Sequence, residues 1–358
     1  MEISGESQDI SRLWTVQPGW LNTASYGLPP VPAWEALQTS LADWCTGRTS
    51  WESWGDSVSA ARQGFARLIG VAAADVAVGA QVSQMLAPVA AGVPSGATVL
   101  LPDVEFTSNV FPWAVHADRG VQMRAAPVEK LAEYIDPSVG VVAFSLVQSS
   151  NGEIAPYEEI VAAARAAGAW VIVDATQACG WLPFDGSLAD AVVIGAYKWL
   201  MAPRGTGFIY LAPALRERLR PLMAGWFASD DGYYGLPLRL APGARAFDLS
   251  PAWHPWVGTA PAIEVVEMIG VQAIHDHNLG LANRFLEGLG LWDGGSAGGI
   301  RMGRPGSNSA IVTVEVPGAE QKLARAGIRA AVRAGRLRAS FHIYNTVSDV
   351  DDALEALA

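Results

Sequence analysis

The chain has 358 residues, of which 51% are hydrophobic and 16% charged, and its formal net charge is −11. This length favours a large core and two domains, whereas the acidic balance and scattered arginines argue against nucleic-acid binding, which needs clustered positive charge. No apolar run reaches the roughly 18 residues of a membrane span, and the two cysteines, Cys45 and Cys179, form no C-x-x-C pair, which argues against a disulfide framework or a thiolate metal site.

Residues 1–20 are predicted to form an N-terminal arm. Its polar, acidic beginning lacks the basic and apolar regions of a secretory signal, so a cytoplasmic location is expected. Seven of the fourteen tryptophans lie in the first 113 residues. Buried aromatic side chains dominate cores and subunit interfaces, so we expect some of these tryptophans in such places. Trp51 and Trp54, in a polar stretch, could instead line a pocket.

Seven short apolar runs rich in β-branched residues predict strands, and most are separated by stretches with helical periodicity or turn signals. The runs are 76–79, 98–102, 121–125, 139–145, 170–173, 191–195 and 207–211. Their continuous apolarity is typical of a parallel sheet covered by helices on both faces. The clearest crossover helix is 156–168, with acidic residues in its first turn and a closing glycine. The last two runs are joined too closely for a helical crossover, so the final strand is predicted to be antiparallel.

The remainder of the chain predicts a smaller α+β domain. Its expected elements are a long loop at 228–248, helices at 260–277 and 279–289, strands at 309–316 and 337–341, and a helix at 348–357. The predicted fold class is therefore α/β, with a mostly parallel seven-stranded sheet in a large domain at 21–240 and a small domain at 241–358.

Polar side chains follow the predicted strands where an open α/β sheet binds its ligand, at the carboxyl ends. Lys198, one of three lysines, follows the apolar run 191–197, and Asp174 ends the run before it. A buried amine near a buried acid suggests an aldehyde cofactor, held as an imine by the lysine and charge-matched by the aspartate. The alternatives are a surface lysine and a helix-capping aspartate.

Three further parts of the sequence offer groups that could bind such a cofactor or a carboxylate. Val82 and Ser83 are predicted at a helix N-terminus, where amide groups and a hydroxyl can bind phosphate or serve as an ordinary cap. Phe106 could stack on a flat ring or belong to the core. Arg336 and Arg338 lie on one face of a predicted strand, and one of them could bind a carboxylate with two hydrogen bonds.

Together these residues resemble the class V aminotransferase group of pyridoxal-phosphate-dependent enzymes, which includes cysteine desulfurases, kynureninase, isopenicillin N epimerase-like enzymes and ergothioneine-pathway carbon-sulfur lyases. The resemblance covers nearly the whole chain and is carried by the segments Leu21–Gly27, Val173–Gln177, Tyr197–Pro203 and Arg338–Thr346. It implies the aspartate aminotransferase-like fold, the cofactor pyridoxal 5'-phosphate, and a homodimer with active sites near the subunit interface.

The resemblance also implies roles for individual residues. Cofactor contacts are implied for Val82, Ser83, Phe106, Asp174, Gln177, Tyr197, Lys198, and either Ser250 or Thr259 of a partner subunit. Lys198 would form the imine, Asp174 would keep the pyridine nitrogen protonated, and Gln177 would bind the 3-hydroxyl. Phosphate contacts fall to Val82, Ser83 and Tyr197, and ring stacking to Phe106. Substrate contacts are implied for Ser25, Gln148 and Arg338, of which Arg338 would bind the carboxylate.

Two departures from the group narrow the chemistry. The stretch 326–337 contains no cysteine, which argues against persulfide chemistry, and Phe106 replaces the stacking histidine of the desulfurases. Lys198 is then the principal proton shuttle. We expect transamination or β-elimination of a small amino acid, with epimerisation and a catalytically lapsed cofactor-binding protein as alternatives. A nicotinamide dehydrogenase is disfavoured because no G-x-G-x-x-G turn follows the first strand. The pair His275 and His277 is expected on a solvated helix rather than at a metal.

Overall fold

The computed structural model describes residues 10–15, 17–231, 234–291 and 309–358. Part of the predicted N-terminal arm, two residues of the predicted loop at 228–248, and residues 292–308 lie outside the described residues.

The large sheet contains seven strands, as predicted. They are β1 (Val76–Gly79), β2 (Thr98–Pro102), β3 (Gln122–Ala126), β4 (Val139–Ser145), β5 (Trp170–Asp174), β6 (Ala191–Gly195) and β7 (Gly207–Leu211). Their order is β1-β7-β6-β5-β4-β2-β3. Strands β2 to β6 run parallel, and β7 is antiparallel to both of its neighbours, as the short connection predicted. The α/β fold class is confirmed.

Helices cover this sheet and continue into the C-terminal part of the chain. They are α1 (Val31–Cys45), α2 (Trp51–Leu68), α3 (Val82–Ala91), α4 (Thr107–Ala114), α5 (Tyr157–Ala167), α6 (Pro213–Arg216), α7 (Trp253–Ile269), α8 (Val271–Gly288), α9 (Ala319–Arg325) and α10 (Val347–Leu357).

The predicted helix at 260–277 is wrong in its bounds. Gly270 has a φ of +87°, which ends α7, and α8 then leaves at 80° to it. Apolar periodicity continues across this break, so the pattern alone could not locate it. In the described part of the chain no single helix is long and apolar enough to cross a membrane, although α7 and α8 pass that test as a bent pair.

A small antiparallel sheet lies in the C-terminal part. Its strands β8 (Ile311–Val314), β9 (Ala331–Arg333) and β10 (Arg336–Ser340) are ordered β8-β10-β9. Leu21 is buried in the core of this unit, whereas Trp256 of α7 belongs to the core of the large sheet. The predicted boundary at residue 240 therefore falls before a helix that packs on α1 and α2.

The pairing of β4, β5 and β6 brings their carboxyl ends to one edge. Ser145 lies opposite Asp174, and Asp174 opposite Val193. The connection after β6 is tightly held: Gly27 N donates to Tyr197 O at 2.9 Å, and a Cβ on Gly27 would lie 1.9 Å from Lys198 O. Only glycine allows this approach of the two backbones. Met201, buried in the same connection, has a φ of 55°, a strained conformation typical of functional sites.

Candidate active site

A cleft with about 710 Å³ of empty space, part of it open to solvent, lies at this edge of the large sheet. Its lining includes six of the predicted site residues: Val82, Phe106, Asp174, Gln177, Tyr197 and Lys198. Ser25, Ser83, Gln148, Ser250, Thr259 and Arg338 are not part of that lining.

Lys198 reaches the cleft from a buried position, with 8% of its surface exposed. Its Nζ lies 5.9 Å from the ring centroid of Phe106 and 5.7 Å from that of Tyr197. Burial lowers the pKa of Lys198 to about 8, although the nearby Asp174 carboxylate opposes this change. The surface-lysine alternative is therefore wrong. An amine with this pKa exists in both protonation states near neutral pH, as a base or nucleophile requires.

Asp174 is buried beside it, and burial raises its pKa against the hydrogen bonds from Thr176 and the charge of Lys198. Thr176 N donates to Asp174 Oδ1 at 2.8 Å. A turn follows β5, not a helix, so Asp174 is not a helix cap. Buried carboxylates are costly unless a partner offsets the burial, and the second carboxylate oxygen is available toward the cleft for a ligand donor.

Gln177 and Arg338 meet at Ser149, a residue that the sequence analysis did not identify. Gln177 Nε2 donates to Ser149 Oγ at 3.1 Å and to Ala24 O at 3.0 Å. Arg338 donates to Ser149 O, to Ser149 Oγ at 3.2 Å, and to Ser25 Oγ at 2.8 Å. Ser149 lines the cleft and therefore connects it to the guanidinium behind.

Arg338 is 1% exposed, and burial lowers its pKa to about 10, so it is still a cation at neutral pH. Its Nε finds no hydrogen-bond partner among the described residues. A buried donor without an acceptor is costly. Arg338 does not itself line the cleft, so its role in binding a substrate carboxylate stays a prediction.

Glu105 is a second residue of the candidate site that the sequence did not predict. Its carboxylate accepts hydrogen bonds from Ser145 N at 2.7 Å, Ser145 Oγ, Gln148 Nε2 at 3.2 Å and Phe106 N at 2.9 Å. These bonds tie the loop before α4 to the end of β4, which places Phe106 at the cleft with half of its surface exposed. Gln148 is fully buried and directed to Glu105, so its predicted contact with substrate would act through this acid.

The start of α3 and the connection between β6 and β7 also line the cleft, through Ala80, Gln81, Val82, Arg204 and Gly205. Gly79 at the end of β1 pairs with Gly207 at the start of β7, so these two parts of the lining are neighbours at the edge of the sheet. Of the two candidate partner contacts, Ser250 is exposed and accepts a hydrogen bond from Trp226 Nε1 at 3.1 Å. Thr259 is fully buried, and its hydroxyl donates to Pro255 O at 2.8 Å.

The sequence matches the family model described as Aminotransferase class-V over residues 48–353. Among curated proteins, the chain is 26% identical to an uncharacterized aminotransferase of Bacillus subtilis, over 87% of this chain and 85% of the relative. It is 29% identical to the isopenicillin N epimerase of Streptomyces clavuligerus, over 83% of each.

Solved structures share the fold. The cystine C-S lyase C-DES, in complex with cysteine persulfide, superposes with a TM-score of 0.84 at 22% identity, covering 96% of this chain and 97% of that one. A cysteine desulfurase of Thermococcus onnurineus gives 0.81 at 21% identity, covering 94% and 93%. Within the described ranges, no group of three or more metal-ligating side chains is found.

Proposed function

We propose that this chain, which belongs to the aminotransferase class-V family, is a pyridoxal-phosphate-dependent enzyme. It acts on a small amino acid through a carbanion at the α-carbon of that substrate. The observation that carries this proposal is Lys198, a buried amine with a pKa of about 8 in a cleft that it shares with the buried Asp174. The product is formed by transamination or by β-elimination of the carbon-sulfur lyase type.

The residues present fit the cofactor. Pyridoxal phosphate, when bound, forms imines with amines and takes up the electron pair left by bond cleavage at the α-carbon. The cleft offers one amine for the imine, Lys198, and one carboxylate for the pyridine nitrogen, Asp174. Phe106 is exposed to the cleft and available to stack on a flat ring. The phosphate would lie at the start of α3, by Val82 and Tyr197.

Lys198 is also the base that this cleft supplies. Its Nζ would take the proton from the α-carbon of the substrate and return it, because its pKa of about 8 lies near neutrality. Arg338 would bind the substrate carboxylate, with Ser25 and Ser149 orienting the guanidinium. Gln177 would contact the 3-hydroxyl of the cofactor through its amide, which Trp199 Nε1 orients from behind at 2.8 Å.

The experiment incubates the purified enzyme, loaded with pyridoxal phosphate, with a panel of amino acids and S-conjugated cysteines. Pyridoxamine phosphate formed without a keto-acid acceptor indicates transamination, and pyruvate with ammonia indicates β-elimination. Exchange of the α-proton for deuterium with inversion, and no other product, would favour epimerisation, the activity named for the Streptomyces relative. If the protein gains no absorbance near ~420 nm with the cofactor, no imine forms and the proposal fails. Lys198→Ala should lose both that absorbance and turnover.

We also propose a cytoplasmic homodimer with its active sites near the subunit interface. Trp34 and Trp44 of α1 are 55% and 61% exposed. Exposed apolar side chains of this size are unusual on a free surface, and tryptophan is enriched at subunit interfaces. Both cysteines are free thiols, in keeping with a reducing compartment. Of the two residues predicted to contact the partner subunit, Ser250 is exposed and Thr259 is buried, so Ser250 is the more accessible. A monomer in sedimentation at micromolar concentration would contradict the dimer.

A further inference from the structure

We propose that Arg204 binds the phosphate group of the cofactor together with the first amide groups of α3, so that the phosphate occupies the Arg204 end of the cleft. The inference rests on the proposed function and extends it to a residue with no role predicted from the sequence. It also fixes the direction in which the cofactor lies, with its phosphate toward α3 and its aldehyde carbon toward Lys198.

The first observation is that Arg204 is an unpaired cation at the cleft. Its guanidinium carbon lies 4.9 Å from the ring centroid of Tyr197, and the residue lines the cleft. Within the described part of the chain its guanidinium has neither a hydrogen-bond acceptor nor a carboxylate partner. Eight other described arginines are paired with acids: Arg48, Arg62, Arg67, Arg124, Arg216, Arg239, Arg284 and Arg336. Arg204 is therefore available to an anionic ligand.

The stacking on Tyr197 prepares the guanidinium for such a ligand. An aromatic ring holds the planar group by cation–π attraction and leaves its N–H edge free. That edge matches phosphate oxygens with two parallel hydrogen bonds. Because Tyr197 directly precedes Lys198, the stacked pair is anchored on the same connection as the reactive amine.

The second observation is the start of α3 across the cleft. The helix has ten residues, and its N-cap, Gln81, makes no side-chain capping hydrogen bond. Its first amide groups therefore lack side-chain partners, and the positive end of the helix favours an anion. Ala80, Gln81 and Val82 line the same cleft as Arg204. Because Gly79 of β1 pairs with Gly207 of β7, these residues are neighbours, and an anion bound there would accept hydrogen bonds from the backbone amides and from the guanidinium.

A substrate side-chain carboxylate is the competing anion. The predicted carboxylate site is Arg338, which is hydrogen-bonded to the cleft residue Ser149, whereas the start of α3 suits a dianion such as phosphate. Arg204 and Arg338 both lower the pKa of Lys198, so a dianion beside Arg204 would also offset excess positive charge around the amine.

The test compares pyridoxal phosphate with pyridoxal, which lacks the phosphate but can form the same imine. The full-length enzyme is freed of cofactor and titrated with each compound, and binding is followed by the imine absorbance and by tryptophan fluorescence. Arg204→Gln should weaken binding of pyridoxal phosphate by roughly 10- to 100-fold, the range expected for a charged hydrogen-bonded contact. Binding of pyridoxal should be unchanged, and inorganic phosphate should compete less well than in the wild type.

Arg218→Gln is the matched control. Arg218 is also exposed and lies 4.9 Å from an aromatic ring, that of Trp170, at the opposite edge of the sheet. It should leave both dissociation constants unchanged. Arg204→Lys keeps the charge but not the planar fork and should give an intermediate loss.

Three results would overturn the inference: unchanged binding of pyridoxal phosphate in Arg204→Gln, equal weakening of both compounds, or a raised KM confined to substrates with anionic side chains. If the wild-type protein binds neither compound, the proposed function itself has failed, so the two failures are distinguishable.

Discussion

Replacing Lys198 by Met should stabilise the cofactor-free protein at neutral pH. Burial lowers the pKa of this lysine from its ordinary 10.5 to about 8. Each tenfold change in a proton equilibrium corresponds to about 1.4 kcal/mol, so the buried charge costs roughly 3 kcal/mol of folding free energy. Methionine fills a similar volume without the charge. The predicted catalytic residue is thus one that the fold would be more stable without.

The sign of this effect gives it a pH signature. Between pH 8 and pH 10.5 the unfolded chain still holds a proton that the folded chain has lost. The unfolding free energy of the wild type therefore rises with pH across this window, and that of the variant lacks this contribution. Urea unfolding at pH 7 should show Lys198→Met more stable by roughly 2–3 kcal/mol, and the difference should vanish near pH 10.5.

The exposed Lys130 provides the control, because Lys130→Met changes the same atoms at the surface and should stay within about 0.5 kcal/mol of wild type at both pH values. The reasoning is refuted if Lys198→Met is less stable than wild type at pH 7, or if the difference does not change with pH.

Two further substitutions test other contacts. Asp248→Ala should cost about 3–5 kcal/mol in urea unfolding, because it leaves the buried Arg62 guanidinium without its two-bond partner. Asp351→Ala removes a similar two-bond contact with Arg284 at an exposed site and should cost much less than Asp248→Ala, because solvent screens the exposed pair; equal costs would contradict the role of burial. Arg338→Lys should raise KM for the amino acid roughly tenfold or more, because lysine cannot donate a planar fork. The cofactor absorbance should be unchanged, and a loss of that absorbance would mean that Arg338 acts on the cofactor.

The large sheet was predictable from the sequence because its strands are buried on both faces. Continuous apolar runs as short as 139–145 and 191–195 predict buried strands, because helices are usually longer. The family resemblance was also confirmed, since the family model matches residues 48–353. The break at Gly270 and the short strand β9 were not predictable, because the first lies inside a continuous apolar pattern and the second has only three residues.

The candidate site was predictable where a residue follows a strand directly. Asp174 and Lys198 stand at the ends of two neighbouring parallel strands, so the topology alone brings them to one edge. The sequence did not predict Ser149 and Glu105, because their contacts join residues that are distant in sequence. It did not predict Arg204 either, because only the folded structure shows that this arginine lines the cleft without an acidic partner among the described residues. Glu105 gave one signal, an acid immediately before the predicted stacking residue Phe106. The roles assigned to all of the site residues stay predictions.

The segment 20–27 determines how the two ends of the active site are placed relative to each other. Ala24 N donates to Ser340 Oγ at 2.9 Å, and Ser25 Oγ accepts from Arg338 at 2.8 Å, so the segment is bonded to β10. Three residues after Ala24, Gly27 N donates to the carbonyl of Tyr197 at 2.9 Å, and Tyr197 directly precedes Lys198. A stretch this short has little freedom once both ends are hydrogen-bonded and glycine allows direct backbone contact. Arg338 of the small sheet, the predicted carboxylate-binding residue, and Lys198 of the large sheet, the predicted reactive amine, are therefore positioned by one backbone segment, although they are 140 positions apart in the sequence.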